Sequence, residues 1–444
     1  MTRMEVSQLG GEEVRRTKEE PRVDVRPSLI IAAFVILILA DLTWAKTGPK
    51  GVIRILCIGE SYYPETILPL IVASDPKIEY NPLPANVDEA TFTFGGVMAL
   101  RRFVRIYIPR RYEDFLARYD VVILSDFPAI FLEIDHMRWF EQAVREEGAG
   151  LGKYELNYGI SGAAYPLDPW RASPVYPAFP ADLPNLLLPG RAWLGGVRVK
   201  RDNPMVDLPG VDRYLLFGPG IFGLEVPRPG SETIAWWRGT DLAAIIIWKY
   251  GSGRAASTVA GLDWMDGSCN NPWGPAAREW DFYPDFFLNQ FYWLASEEIP
   301  PDPFLINTIR KGLRDLRIRT QLVLSVVAFV ETFGASGNAL EGDLDQISKL
   351  RSEAKDLYLG QEYLRCRDTI ETCLALMTAT EQKSLKLKDQ ALLWIYAIEW
   401  FVVSGTALGC GFVVYTLMIR RRMYTEVSVT RLATRAADLT EMGW

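Results

Sequence analysis

Twenty consecutive uncharged residues, Trp400 to Ile419 (WFVVSGTALGCGFVVYTLMI), end directly in Arg420, Arg421 and Arg422. A helix of that length is about 30 Å long, the thickness of a hydrocarbon core, and the arginines after it form a stop-transfer pattern. The helix is expected to start near Ala391, with Trp394, Tyr396 and Trp400 as an interfacial belt and Glu399 near the outer boundary. Ser404, Gly405, Gly409 and Gly411 are small enough to let another helix approach, or else face lipid.

A second apolar run, Ser28 to Ala45 (SLIIAAFVILILADLTWA), is about 18 residues long and follows Arg15, Arg16, Lys18, Arg22 and Arg26. Only Lys46, Lys50 and Arg54 follow it closely. The excess of positive charge before the run places the N-terminus inside. Thr43-Trp44-Ala45 also loosely fits a signal-peptide cleavage site, although the charged region before the run is long for one. Both charge patterns put the termini inside and residues from about 46 to 398 outside. The expected organisation is an N-terminal cytoplasmic tail (1–27), a membrane helix or signal anchor (28–45) and an α/β domain (50–298). A linker with a helical hairpin stalk (299–390), a membrane helix (391–419) and a cytoplasmic tail (420–444) follow.

Composition narrows the chemistry. The 444 residues carry 48 basic and 55 acidic side chains, a net charge of −7. The pI of about 5.2 argues against nucleic acid as a partner. A hydrophobic fraction of 49% with 23% charged residues is ordinary for a globular protein and excludes wholesale disorder. The single histidine, His136, rules out histidine-rich metal sites. It stands beside Asp135, a plausible cap, and reads as a surface or cap residue. The five cysteines show no metal-ligand spacing, and Cys366 and Cys373 lie two helical turns apart, about 10 Å, too far to bridge. No cofactor is implied.

Between the apolar runs, strands and helices alternate. Ile53 to Gly59 (IRILCIG) and Tyr119 to Ser125 (YDVVILS) read as buried parallel strands, and Val104 to Ile108 (VRIYI) as another. Arg111 to Arg118 and Ile134 to Glu147 read as helices, the second stopped by Gly148. Ala244 to Trp248 and Ala255 to Ala260 form a hairpin about Tyr250-Gly-Ser-Gly-Arg254. Phe282 to Leu294 is an aromatic helix. This order predicts a three-layer α/β domain with a mostly parallel sheet. Residues 163–232, rich in Pro and Gly, read as long loops. Pro300-Pro301-Asp302-Pro303 is a stiff linker. Beyond it, helices from Leu305 to about Phe333 and from about Leu344 to Lys388 form a hairpin broken at Gly334 to Gly337. Part of the second helix, Ala354 to Leu374, is similar to one tetratricopeptide repeat.

The segment Tyr250 to Ser296 carries Gly253-Arg254, Pro272-Trp273-Gly274, and Trp280, Tyr283, Phe286, Trp293 and Leu294. It resembles the closing segment of prokaryotic class I glutamine-amidotransferase-like domains, and the strands at Ile53 and Tyr119 fit the same pattern. The resemblance covers about residues 50 to 298 and implies a flavodoxin-like fold. Its catalytic part does not carry over. The region after the Ile134–Glu147 helix, Gly148 to Gly159, holds no nucleophile-elbow Cys, and His136 precedes that region, whereas the family's His follows it. Without a Cys–His pair, glutamine hydrolysis has no mechanism here, so the domain is expected to be a pseudoenzyme.

In an open α/β sheet, ligands bind beyond the carboxyl ends of the strands. The candidates there are Glu60, Ser61, Asp126, Glu155, Asn157, Tyr158, Asp263, Trp264, Asp266 and Trp273. Acids beside aromatic faces suit a carbohydrate or a cation; the same residues also serve as helix caps and loop anchors. Three roles follow. The chain is a membrane-anchored scaffold, binding protein partners through its stalk and loop-rich face, with homo-oligomers open. It is a surface sensor of a carbohydrate or other small molecule. Or it is a hydrolase using strand-end carboxylates. The tail from Met423 to Trp444 is shorter than a signalling domain, which favours the scaffold.

Overall fold

The computed structural model describes residues 51–59, 68–84, 102, 104–125, 129–154, 168–184, 197–214, 225–238, 241–258, 280–332, 338–441 and 443. Residues 51–444 form one compact unit. Its centre is an eight-stranded sheet in the order β2-β1-β3-β4-β10-β9-β8-β6. The strands are β1 (Ile53–Gly59), β2 (Ile78–Pro84), β3 (Val121–Ser125), β4 (Gly150–Tyr154), β6 (Val197–Val199), β8 (Glu232–Trp237), β9 (Ala243–Tyr250) and β10 (Gly253–Thr258). A separate pair joins β5 (Ala181–Asp182) to β7 (Val226–Pro227). The sheet is mixed, with a parallel part and an antiparallel part. β2, β1, β3, β4 and β10 run parallel, and β9, β8 and β6 then alternate.

Helices cover both faces, so the central strands are apolar on both sides. Ile53, Ile55 and Cys57 of β1 face a core with α1 (Leu68–Val72) and α6 (Tyr283–Leu294). Leu56 and Ile58 face a second core with α2 (Tyr112–Arg118), α3 (Ile134–Glu147) and α4 (Asp168–Arg171). A one-turn helix, α5 (Val211–Tyr214), packs beside β6. At β4 the small residues matter. A Cβ on Gly150 would lie 2.5 Å from the Leu294 carbonyl oxygen, and one on Gly152 would lie 2.5 Å from Ile123 Cδ1. The end of α6 therefore rests directly on the β4 backbone.

Several segments differ from the sequence expectation. Residues 104–107 are helical, not a strand. Val104 and Ile108, four residues apart, are buried while Ile106 is 66% exposed, which is helical rather than two-residue periodicity. Strand β2 lies where none was expected; its polar alternation and two prolines mark it as a sheet edge. The 163–232 stretch contributes α4, β5, β6, α5 and β7 as well as loops. Pro303, assigned to the linker, opens a helix. Asp302 Oδ1 accepts from the amides of Phe304 (3.0 Å) and Leu305 (3.1 Å), an N-cap with Pro at the first helical position.

The stalk is a bundle of three helices, not a hairpin: α7 (Pro303–Thr332), α8 (Asn338–Leu359) and α9 (Tyr363–Glu441). The single helix expected over 344–388 is interrupted. Gln361, at φ 62°, takes the left-handed position, with Glu362 N donating to Leu357 O (2.9 Å) and Gln361 N to Tyr358 O (3.0 Å). That is a Schellman cap with Gly360 one residue before the strained position. The buried residues of the bundle repeat every seven: Ile309, Leu316, Val323 and Val330 on α7, Leu340, Ile347 and Ala354 on α8. On α9 the series Cys366, Cys373, Thr380 and Ile370, Met377, Ser384, Ala391 forms an a/d seam. α7 runs parallel to α9, with Arg319 reaching Thr378 (3.1 Å). α8 runs antiparallel, with Cys366 Sγ donating to Ala354 O (3.2 Å) and Lys383 pairing with Asp343 (2.6 Å). Beyond Ala391, α9 leaves the bundle. Its 393–419 part is exposed, and α9 is long and apolar enough to cross a membrane.

Candidate functional site

The carboxyl ends of the parallel strands meet in one row. Register places Gly59, Ser125, Tyr154 and Thr258 side by side on β1, β3, β4 and β10. Tyr154 belongs to the core on the α6 side, so Ser125 and Thr258 flank it on that face. Tyr154 donates to Gln290 Oε1 (2.9 Å), and burial pushes its phenol pKa well up. Ser125 Oγ and Thr258 Oγ1 are buried and have no hydrogen-bond partner among the described residues.

One residue earlier, on the opposite face, Lys153 and Ser257 are register neighbours. Both meet the Glu225 carboxylate: Lys153 as an ion pair, Ser257 by a 2.5 Å hydrogen bond. All three are buried. A buried lysine survives in a strand only with such a partner, because its uncompensated charge would cost several kcal/mol. The layer is therefore polar, hydrogen-bonded on one face, open to hydrogen bonding on the other, and neutral overall.

The residues singled out from sequence, Glu60, Ser61, Asp126, Asn157, Tyr158, Asp263, Trp264 and Trp273, lie outside the described residues, as do Glu155 and Asp266. Glu60, Asp126 and Glu155 directly follow the ends of β1, β3 and β4 in sequence. Lys153, Ser257 and Glu225 were not anticipated. The lysine in GLGKY reads as a solvent-facing residue, and Glu225 is far away in sequence. Ser125, by contrast, closes a run already identified as a buried strand. His136 is not a surface residue. It is buried against Trp139 at 5.3 Å between ring centroids, and desolvation lowers its pKa. Asp135 pairs with Arg138 (2.9 Å) rather than capping α3, whose N-cap is Glu133. Among the described residues no group of His, Cys, Asp or Glu could hold a metal.

A second polar cluster joins the α/β domain to the stalk. Asp75, in the turn after α1, accepts from Arg310 of α7 (Nε 2.9 Å, Nη2 2.5 Å), Tyr358 of α8 (2.9 Å) and Tyr292 of α6 (3.0 Å). Arg310 also pairs with Asp285 of α6, which accepts from Asn307 Nδ2 (2.6 Å). Asp75, Asp285, Arg310, Tyr292 and Tyr358 are each no more than 2% exposed. Burial raises the pKa values of Tyr292 and Tyr358 well above the ordinary phenol range, and the Asp75 charge adds to the effect. Burial works against the Arg310 charge, and the surrounding acids and phenols outweigh it. At the α8–α9 bend nearby, an open groove of 620 Å³ is lined by Lys349, Ser352, Glu353, Asp356, Leu357, Glu362 and Arg365.

No family model matches the chain. No curated protein matches it. Among solved structures it is similar to Op5Man5, an exo-beta-1,4-mannosidase from Opitutaceae bacterium strain TAV5. That match has 12% identity and a TM-score of 0.29, over 60% of this chain and 39% of the other. Gan42B, a GH42 beta-galactosidase, matches at 10% identity and a TM-score of 0.22, over 55% of this chain and 30% of its own. The chain spans well under half the length of either enzyme.

Proposed function

We propose that this chain is a non-catalytic, membrane-anchored scaffold whose amidotransferase-like domain is displayed outside the membrane on a helical stem. The observation that carries this reading is the buried cluster of Asp75, Arg310, Asp285, Tyr292 and Tyr358. It ties the α/β domain to α7 and α8, which pack on the helix that continues into the apolar span. A tether for a mobile domain needs no such junction, whereas a platform that holds partners in fixed geometry does. Arg420 to Arg422 place the end of α9 inside, and the apolar run at 28–45 acts as a second anchor. Along α7, Ile318 and Leu322 are each 56% exposed and one helical turn apart, an apolar face for protein partners. The absence of an elbow Cys and a following His supports the non-enzyme reading.

The test is isolation from native membranes in mild detergent, with mass determination and identification of companions. A complex of defined composition is expected. A lone chain would contradict the scaffold role.

A further inference from the structure

We infer that the part of α9 beyond Arg422 is a coiled-coil surface whose partner is a second copy of this chain. The inference rests on the proposed passage of α9 through the membrane, and not on the scaffold role.

α9 does not break where the apolar run ends; it is one helix from Tyr363 to Glu441. At 1.5 Å per residue, Glu441 stands about 30 Å beyond Arg420, in line with the span and away from a lipid surface. This inner part carries one uncharged stripe. Thr425, Val429, Leu432, Ala436 and Leu439 follow one another in alternate four- and three-residue steps, which puts them on one face. Glu426, Arg431, Arg435, Asp438 and Glu441 fall on the flanks and the opposite face. Thr425 joins the stripe through its methyl group, because its hydroxyl donates to Arg421 O (2.7 Å). Val429, Leu432 and Leu439 are 65%, 68% and 54% exposed, so no described part of this chain covers them. The segment is also poorly suited to stand alone in water. Thr425, Val427, Val429, Thr430, Thr434 and Thr440 are β-branched, which lowers helix propensity, and a short helix without packing is marginal.

The positions identify the partner. Two copies inserted in the same membrane hold α9 parallel and at the same depth, so each stripe meets its own equivalent in register. Val429 and Ala436 then take the a positions, and Thr425, Leu432 and Leu439 the d positions. A β-branched residue at a with leucine at d favours two strands. Arg422 takes the preceding a position at the membrane edge, where its charge reaches Glu426 of its own helix (3.4 Å). A single polar residue at a fixes the register, at some cost in stability. On the flanks of a parallel pair, each g residue faces the e residue five places later on the other helix. Arg421 therefore meets Glu426 of the second copy, twice by symmetry, and Arg435 meets Thr440. No like charges face each other on these flanks. Residues 1–27, the other segment placed inside, hold no three apolar residues at this spacing and cannot supply a matching stripe. Confinement to one membrane raises the effective concentration of one copy for another, so a seam this short suffices.

The test is cysteine cross-linking of the full chain in native membranes, with Cys269 and Cys410 replaced by Ser. Leu432→Cys places a thiol on the stripe, and Thr434→Cys places one on the opposite face. After oxidation with copper phenanthroline, a band at twice the chain mass is expected for Leu432→Cys and not for Thr434→Cys. Adding Glu426→Arg sets like charges against each other and should reduce the Leu432→Cys band. Adding Arg421→Glu as well should restore it. No dimer band from Leu432→Cys in membrane-embedded chain would overturn the inference, and so would equal bands from the two positions. A band of another mass would also overturn it, by naming a different protein as the partner. A Leu432→Cys band indifferent to Glu426→Arg would overturn the parallel register. An alkaline wash of the same membranes separates the two proposals. A chain that washes off defeats the anchoring itself, whereas a retained chain without cross-links defeats this inference alone.

Discussion

Arg310 and Asp75 are 235 residues apart in sequence and joined by two hydrogen bonds, 2.9 and 2.5 Å long, at a site where neither residue is more than 2% exposed. One arginine thus connects the stem to the turn after α1, and through Asp285 to α6. Its loss would leave two carboxylates buried without a cation. Arg310→Met is expected to cost about 3–5 kcal/mol. Thermal unfolding of the purified chain would show it, and limited proteolysis near residues 297–302 should accelerate in the same variant.

The tyrosines of this cluster give a pH signature. Tyr292 and Tyr358 ionise in the unfolded chain near the ordinary phenol value, but their folded pKa values lie well above it. Their contribution to stability is therefore complete below about pH 10 and is lost as pH rises further, because the unfolded state releases protons that the folded state keeps. Tyr119, pushed up to about 12 mainly by burial, adds to the same slope. Tm measured from pH 8 to 11.5 should fall steeply above pH 10, and the Tyr358→Phe variant should fall less steeply. An unchanged slope in that variant would place the effect elsewhere.

Close packing of α6 on β4 predicts a contrast between glycines. Gly150→Ala drives a Cβ to 2.5 Å from the Leu294 carbonyl oxygen and should destabilise by about 1–3 kcal/mol. Gly342→Ala, in α8 with nothing within 4 Å of the new methyl, should be neutral or stabilise by up to about 1 kcal/mol. Denaturant midpoints of the two variants compare them directly.

These cases show what was legible in the sequence. The buried strands at Ile53 and Val121 were plain, because both faces of each are apolar. The hairpin at Tyr250 was plain from its Gly-Ser-Gly turn. The strand order was not, since β10 pairs with both β4 and β9 and nothing local says so. The stem seam was present as a seven-residue repeat running from Cys366 to Ala391, but the cysteines and hydroxyls at its positions hid it from a count of apolar residues. The break before Glu362 was missed because its left-handed residue is Gln361, with the glycine one place earlier. Lys153 and Arg310 were invisible as core residues, because their acids come from distant segments.

The Lys153–Glu225 pair predicts non-additivity. Lys153→Met alone leaves the Glu225 carboxylate buried with Ser257 as its one remaining side-chain partner among the described residues and should cost about 3–5 kcal/mol. Adding Glu225→Leu should recover much of that loss. A double-mutant cycle on Tm would contradict the ion-pair account if the two changes simply added.

For the span, Leu408→Arg puts a charge at the middle of the apolar run. It is expected to cost about 3 kcal/mol of insertion free energy and to release the chain from alkaline-washed membranes when the first apolar run is also deleted. Retention of that doubly altered chain would argue against α9 as an anchor.

In the scaffold reading the α/β domain and the stem move as one body, held by the Arg310 cluster. Pulsed dipolar spectroscopy tests it most directly, with spin labels at Arg138→Cys on α3 and Glu371→Cys on α9 and with Cys269 and Cys410 replaced by Ser. A single narrow distance distribution is predicted, broadened by Arg310→Met. A broad distribution in the otherwise native chain would contradict the account.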